Sequence, residues 1–185
     1  MKNILIINRK GGAGKTLVAD ELAFALDAKN VPYCFYDLDG QGGTLHEPVE
    51  MDNADISIID TPGSLQGEMG EWVKDADVVI IPMRPSVTDM PATETTIDLV
   101  KRNAPDTPIV YVVNGTNRFK ATKEFMEFFK EEHKDGPIYC LPQSEAFVQS
   151  RLANQSVIAY NPRLLASLAT SVLTHGVWKI LKLKF

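Results

Sequence analysis

Six short apolar runs recur along the chain, at residues 3–8, 31–37, 56–60, 77–82, 108–114 and 137–141. They are rich in β-branched residues and nearly continuous rather than alternating, the pattern of strands buried on both faces. Between them lie residues at helical spacing: Val18, Leu22, Ala25 and Leu26; Leu65, Met69, Trp72 and Val73; Ile97, Val100 and Ala104; Phe125, Phe128 and Phe129. A last stripe holds Leu165, Leu168, Val172, Leu173, Val177 and Leu181, and reads as a core-facing helix. Strand–helix alternation at this spacing predicts right-handed βαβ units. The expected fold is therefore α/β, a doubly wound, mainly parallel β-sheet with helices on both faces. The 185 residues make one domain, 1–185, with no repeat and no Gly/Ser/Pro-rich linker to divide it. In such sheets ligands bind beyond the carboxyl ends of the strands, so chemistry is to be sought there.

Composition removes several classes of function. Cys34 and Cys140 are far apart and belong to no CxxC or Cys/His cluster, which excludes a disulfide scaffold and any sequence-evident zinc or iron–sulfur site. Both fall in expected strands, where small buried apolar residues are common. The opening MKNILIIN is too short for the apolar part of a signal peptide, and no run approaches the roughly 20 apolar residues that span a bilayer. A cytoplasmic protein is expected. The net charge of −5 is uneven: residues 136–185 carry Arg151, Arg163, Lys179, Lys182 and Lys184 against Glu145 alone. This basic end has two readings, an anionic partner or solvated lysines on a terminal helix.

The first strand is followed by KGGAGKT, Lys10 to Thr16. A standard phosphate-binding loop, GxxxxGK[ST], would have glycine at position 9, where this chain has Arg9. The rest still suits phosphate. Gly11, Gly12 and Gly14, with Ala13 between them, let backbone N–H groups point inward, and a helix opening at Thr16 adds partial positive charge. Lys15 can reach β- and γ-phosphates, and the Thr16 hydroxyl can ligate Mg²⁺. The second strand ends Asp37-Leu38-Asp39 and the third Asp60-Thr61-Pro62-Gly63. Residues one apart on a strand point oppositely, so one of Asp37 and Asp39 can face the phosphates. A strand-terminal carboxylate such as Asp60 commonly orients Mg²⁺ and its waters.

The loop with its added Lys10, the Asp-x-Asp and the DTPG together resemble the ParA/MinD family of deviant Walker-A P-loop ATPases. The resemblance runs along almost the whole chain. VVIIPMRPS (78–86) resembles the fourth strand of that family, VYVVNGTN (110–117) its fifth, and 141–163 the C-terminal segment of small plasmid-type ParA partition proteins. It implies ATP and Mg²⁺ as cofactors. Lys10 would be the signature lysine that crosses an ATP-sandwich homodimer to the other subunit's phosphates, Lys15 and Thr16 would serve phosphate and metal, Asp39 would position water, and Asp60 would associate with Mg²⁺. Leu17 completes the nucleotide-binding loop. Asn114 and Pro142 resemble the adenine pocket, although Asn114 also reads as a strand-end turn residue.

Three departures from the family pattern stand out. Leu17 replaces a second hydroxyl residue, Gly40-Gln41-Gly42-Gly43 replaces a Pro-Gln switch loop, and only some 20 residues lie between Asp39 and Asp60. The chain begins at the first strand, so an N-terminal helix-turn-helix domain is not expected. The implied cycle is ATP binding, dimerisation, binding of non-specific double-stranded DNA, then slow hydrolysis stimulated by a ParB-like centromere-binding or adaptor protein. The cargo would be a plasmid, a chromosome or a protein complex on the nucleoid. Arg118, Lys120, Lys123, Arg151 and Arg163 are the candidate DNA contacts, or else part of a solvated face. The tail 177–185 invites comparison with a MinD-like membrane helix, but its apolar residues form no single stripe, and a membrane partner is not expected.

Overall fold

The computed structural model describes residues 1–39, 43–63 and 69–184. Six strands, β1 (Lys2–Ile6), β2 (Cys34–Asp37), β3 (Ile56–Asp60), β4 (Val78–Met83), β5 (Ile109–Thr116) and β6 (Ile138–Pro142), form one parallel sheet in the order β2-β3-β1-β4-β5-β6. The central strands β1 and β4 alternate their side chains between two cores. Ile4, Ile6, Val78 and Ile80 face one side, Leu5, Ile7, Val79 and Ile81 the other, and all eight are fully buried. This is why these runs are continuous in apolar character: neither face meets water.

The first face is covered by α1 (Lys15–Asp27), α5 (Ala146–Leu152), α6 (Val157–Tyr160) and α7 (Leu165–Ile180). The second is covered by α2 (Met69–Lys74), α3 (Met90–Asn103) and α4 (Lys120–Glu132). The expected doubly wound α/β sheet, in its P-loop NTPase form, is therefore the observed one.

Three helical stripes are corrected. On α7 the buried residues are Ala166, Thr170, Leu173, Val177 and Trp178, with Leu181 just beyond, whereas Leu165, Leu168 and Val172 are 70%, 55% and 59% exposed. At 100° per residue the latter three lie on a different face, so one helix carries two apolar stripes and only one is covered. On α4, Phe125 and Phe129 stack at 5.7 Å in the core while Phe128 points out, 53% exposed. Ala104 caps α3 rather than lying within it. Leu65 of the second stripe lies outside the described residues. Both cysteines lie on edge strands: Cys34 of β2 is buried, with the Met51 backbone against its Sγ, whereas Cys140 of β6 is exposed.

The short link between β2 and β3 folds back along the outer edge of β2. Phe35 and Val49 exchange both backbone hydrogen bonds, at 2.8 and 3.0 Å, in an antiparallel bridge that covers an otherwise open edge.

Candidate functional site

The carboxyl ends of β1, β2 and β3 open onto a cleft of about 600 Å³. It is lined by Gly11, Gly12, Gly14, Lys15 and Thr16, with Arg9, Leu17, Asp39 and Gly63. The loop leaves β1 through the buried Ile7 and Asn8 and feeds α1. Gly14 caps α1 at φ 100°, a left-handed conformation, and a Cβ there would overlap the Asn114 side-chain amide. Only glycine fits. Because no side chain caps α1, its first N–H groups are left for an anion in the cleft, where the helix dipole also favours negative charge. Gly63 brings the DTPG turn against the loop: a Cβ on it would stand 3.3 Å from the Gly11 nitrogen.

Asp37 and Asp60 are register partners on β2 and β3. Asp39 lies two residues past the end of β2, so strand alternation does not decide which carboxylate faces the cleft. The chain turns there, Asp37 Oδ1 accepts the Asp39 N–H at 2.9 Å, and Asp39 lines the cavity while Asp37 does not. Asp60 is 1% exposed, and neither of its oxygens has a hydrogen-bond partner among the described residues. Burial pushes its pKa up to about 6, with Asp37 adding to the rise and Thr16 and Lys15 working against it. Lys15 is buried as well. Desolvation lowers its pKa against the opposing pull of Asp60 and Asp39.

A buried carboxylate without hydrogen bonds is expensive, and a cation beside it relieves that expense. With the Thr16 hydroxyl at the head of α1, Asp60 suits Mg²⁺, which keeps several waters and takes few protein ligands. Among the described residues no group of three or more His, Cys, Asp or Glu could hold a metal unaided.

Lys10 is held within its own chain. Its Nζ lies 3.3 Å from Oδ1 of Asp89, a buried carboxylate at the head of α3 that also pairs with Arg84 at 2.7 Å. The Lys10 N–H donates to Asn8 Oδ1, and Asn8 Nδ2 donates to Pro82 O and Thr93 Oγ1. Asp89, Asn8 and Thr93 were not singled out from sequence. Only Asn8 carries a signal, a polar residue closing an apolar run, whereas Asp89 and Thr93 lie in a polar stretch. Asn114 donates to Ala13 O at 3.4 Å, so it braces the loop, and Pro142 ends β6 opposite Thr116; neither lines the cleft.

Of the basic candidates, Arg118, Lys120, Lys123 and Arg163 are exposed, Lys120 with Glu124 3.4 Å away. Arg151 differs from these: it is half-buried and donates to Asp20 at 2.5 Å and to the Gly43 carbonyl. Residues 40–42 of the Gly-Gln-Gly-Gly segment and Phe185 of the tail lie outside the described residues.

A family model described as the CobQ/CobB/MinD/ParA nucleotide binding domain matches residues 4–157. A sequence search of the curated proteins finds no match. Among solved structures, an ATP complex of McdA from Cyanothece superposes with a TM-score of 0.78 at 17% identity, covering 100% of this chain and 98% of that one. MinD of Pyrococcus horikoshii OT3 with Mg-ADP gives 0.74 at 18% identity, covering 100% and 99%. A protein of Borrelia burgdorferi B31 assigned to plasmid partition, bound to AMPPNP, gives 0.68 at 15%, covering 93% and 98%.

Proposed function

The chain belongs to the CobQ/CobB/MinD/ParA nucleotide-binding family, and on that premise we propose that it is an ATP-dependent, dimerising ATPase that positions DNA or a protein cargo on the nucleoid of the cytoplasm. The observation that carries this reading is the meeting of Gly11, Gly12, Gly14, Lys15, Thr16 and Asp39 at one cleft, with the buried Asp60 close enough to act on Lys15. The ATP complex of McdA and the Mg-ADP complex of MinD support the choice of ligand. The Borrelia protein supports partition as the role.

The chemistry follows from the residues. Loop amides and the head of α1 receive the β- and γ-phosphates, and Lys15, already desolvated, meets their charge without first shedding water. Thr16 and Asp60 would hold Mg²⁺, which when bound would neutralise phosphate charge. Asp39 orients a water for in-line attack on the γ-phosphorus, the bond to the β-phosphate oxygen breaks, and ADP and phosphate leave. Lys10 must leave Asp89 before it can reach a second subunit's phosphates. Hydrolysis is slow until that rearrangement occurs, and a ParB-like or adaptor protein promotes it. The ATP-bound homodimer then binds non-specific double-stranded DNA through Arg118, Lys120, Lys123 and Arg163.

A membrane-anchored alternative lacks support from the fold. Val177, Trp178 and Leu181 of the tail are in the core, Ile180 and Leu183 pack partly against it, and no helix among the described residues is long and apolar enough to cross a membrane. Turnover of the purified protein with Mg²⁺-ATP, beside Asp39→Ala, tests the hydrolytic reading. Asp39→Ala is expected to lower kcat by at least about tenfold while a fluorescent ATP analogue binds within about twofold of wild type. Equal turnover in the two proteins overturns it. Anisotropy of a random duplex in ATP and in ADP tests the DNA reading, which requires binding in ATP alone.

A further inference from the structure

Asp20 sits on α1, one turn beyond Thr16, and is 1% exposed. A buried carboxylate in a helix interior needs a reason. Four donors converge on it. Oδ1 accepts from Thr44 Oγ1 at 2.8 Å, from the Leu45 N–H at 2.9 Å and faces His46 Nδ1 at 2.9 Å, and Oδ2 accepts from Arg151 Nη1 at 2.5 Å. The second arm of the Arg151 guanidinium reaches the Gly43 carbonyl. His46 is held further by Asp27 Oδ2 at 3.2 Å and by packing on Phe24 and Phe35, with ring centroids 4.4 and 5.5 Å away. Burial works to raise the Asp20 pKa, yet the hydrogen bonds from His46, Arg151, Thr44 and Leu45 hold it below the usual carboxylate range. It is therefore ionised and fully engaged.

The segment it grips begins four positions after Asp39. Upstream, the Leu38 N–H donates to Asp60 O and the Asp39 N–H to Asp37 Oδ1, both at 2.9 Å. Downstream, Gly43 to His46 is fixed on α1. Four steps of chain join Asp39 to Gly43, at most about 14 Å. Both ends of that span are thus anchored, one to the Asp60 backbone carbonyl and the Asp37 carboxylate, the other to the helix that begins at Lys15.

We infer that Asp20 is a positioning residue for Asp39: with Arg151 it clasps residues 43–46 against α1 and so fixes the downstream end of the chain that carries Asp39. This rests on the hydrolytic role proposed for Asp39. Asp20 does not line the cleft. It acts by fixing where the Asp39 carboxylate stands relative to phosphates held by the same helix, and such placement matters because a misplacement of about 1 Å can lower a rate about a hundredfold.

The test uses Arg151→Met, Arg151→Lys and Asp20→Asn in the full chain, each assayed well below its own melting temperature. Arg151→Met leaves Asp20 its other three donors, so it keeps the fold testable if Asp20→Asn does not fold. Two readouts are taken: kcat against affinity for a fluorescent ATP analogue, and hydrogen exchange at the amides of 38–39 and 43–46. For Arg151→Met the expectation is a kcat lowered about tenfold, ATP-analogue affinity within about twofold of wild type, faster exchange at 43–46 and unchanged exchange at 11–16. Arg151→Lys, which keeps one donor to Asp20, should recover part of the rate. Unchanged exchange at 43–46 overturns the clasp. Faster exchange with unchanged kcat, or loss of affinity in step with kcat, overturns the positioning role. Wild type with no turnover above Asp39→Ala overturns the hydrolytic reading, and exchange alone then decides the clasp.

Discussion

At the residue scale the site is a set of charges held in unfavourable surroundings by design of the cleft. Asp60 is the sharpest case, buried and without a hydrogen bond among the described residues. Its folded-state pKa, pushed up from 3.8 to about 6, means that its contribution to stability is fullest below about pH 4 and is lost as pH rises through 6. At pH 8 the ionised form therefore destabilises the ligand-free protein, by up to about 3 kcal/mol. Asp60→Asn is expected to melt higher than wild type at pH 8 without ligand and to lose the Mg²⁺-dependent part of stabilisation by ADP. Thermal melts in EDTA and in Mg²⁺-ADP at pH 5 and 8 check both signs, and a lower melting point for Asp60→Asn in EDTA at pH 8 sinks the account. Lys10 shows the other side of the same logic. Its partner Asp89 was invisible in sequence, because a carboxylate 79 positions away becomes a neighbour only when the end of β4 is brought beside the end of β1.

At the scale of elements, α1 is the hub. Along a single helix, Lys15 and Thr16 face the cleft, Asp20 holds the post-Asp39 chain, and Glu21 holds α6 by accepting the Val157 N–H at 2.9 Å. Glu21 is 3% exposed, its second oxygen has no partner among the described residues, and burial pushes its pKa up from 4.5 to about 7. Its stabilising contribution is complete below about pH 4.5 and is lost as pH rises through 7, a change of up to about 3 kcal/mol. Glu21→Gln keeps the acceptor for Val157 and removes the titration. The variant should match wild type near pH 5 and unfold at higher denaturant concentration at pH 8, and urea midpoints at the two values measure this. A pH-independent difference would assign the Glu21 effect to packing instead. The misreading of α7 belongs at this scale too. Both of its apolar stripes have helical period, and periodicity identifies a helix without saying which face the sheet will cover.

At the scale of the whole molecule, the sequence divides into an acidic body and a basic end, but the fold redistributes that charge. Arg151 is half-buried and paired with Asp20, and the exposed cations proposed for DNA are Arg118, Lys120, Lys123 and Arg163. The logarithm of DNA affinity in ATP should fall with the logarithm of salt with a slope of about −0.9 per phosphate neutralised, and Arg118→Ala should reduce that slope by about one contact. An unchanged slope in a correctly folded Arg118→Ala removes that residue from the surface. Fold class, the phosphate loop and the acidic strand ends were all determined by the sequence itself, because each rests on local chemistry: buried strands must be continuously apolar, a tight loop around phosphate needs glycine, and a helix that follows it must open there. What only the tertiary structure decided is which distant partners those residues meet. Lys10 on Asp89, Arg151 on Asp20, Asn114 against Gly14 and the covered face of α7 all depend on how strands far apart in sequence pair in the sheet. Burial in that sheet, rather than any local pattern, sets the energy of each contact.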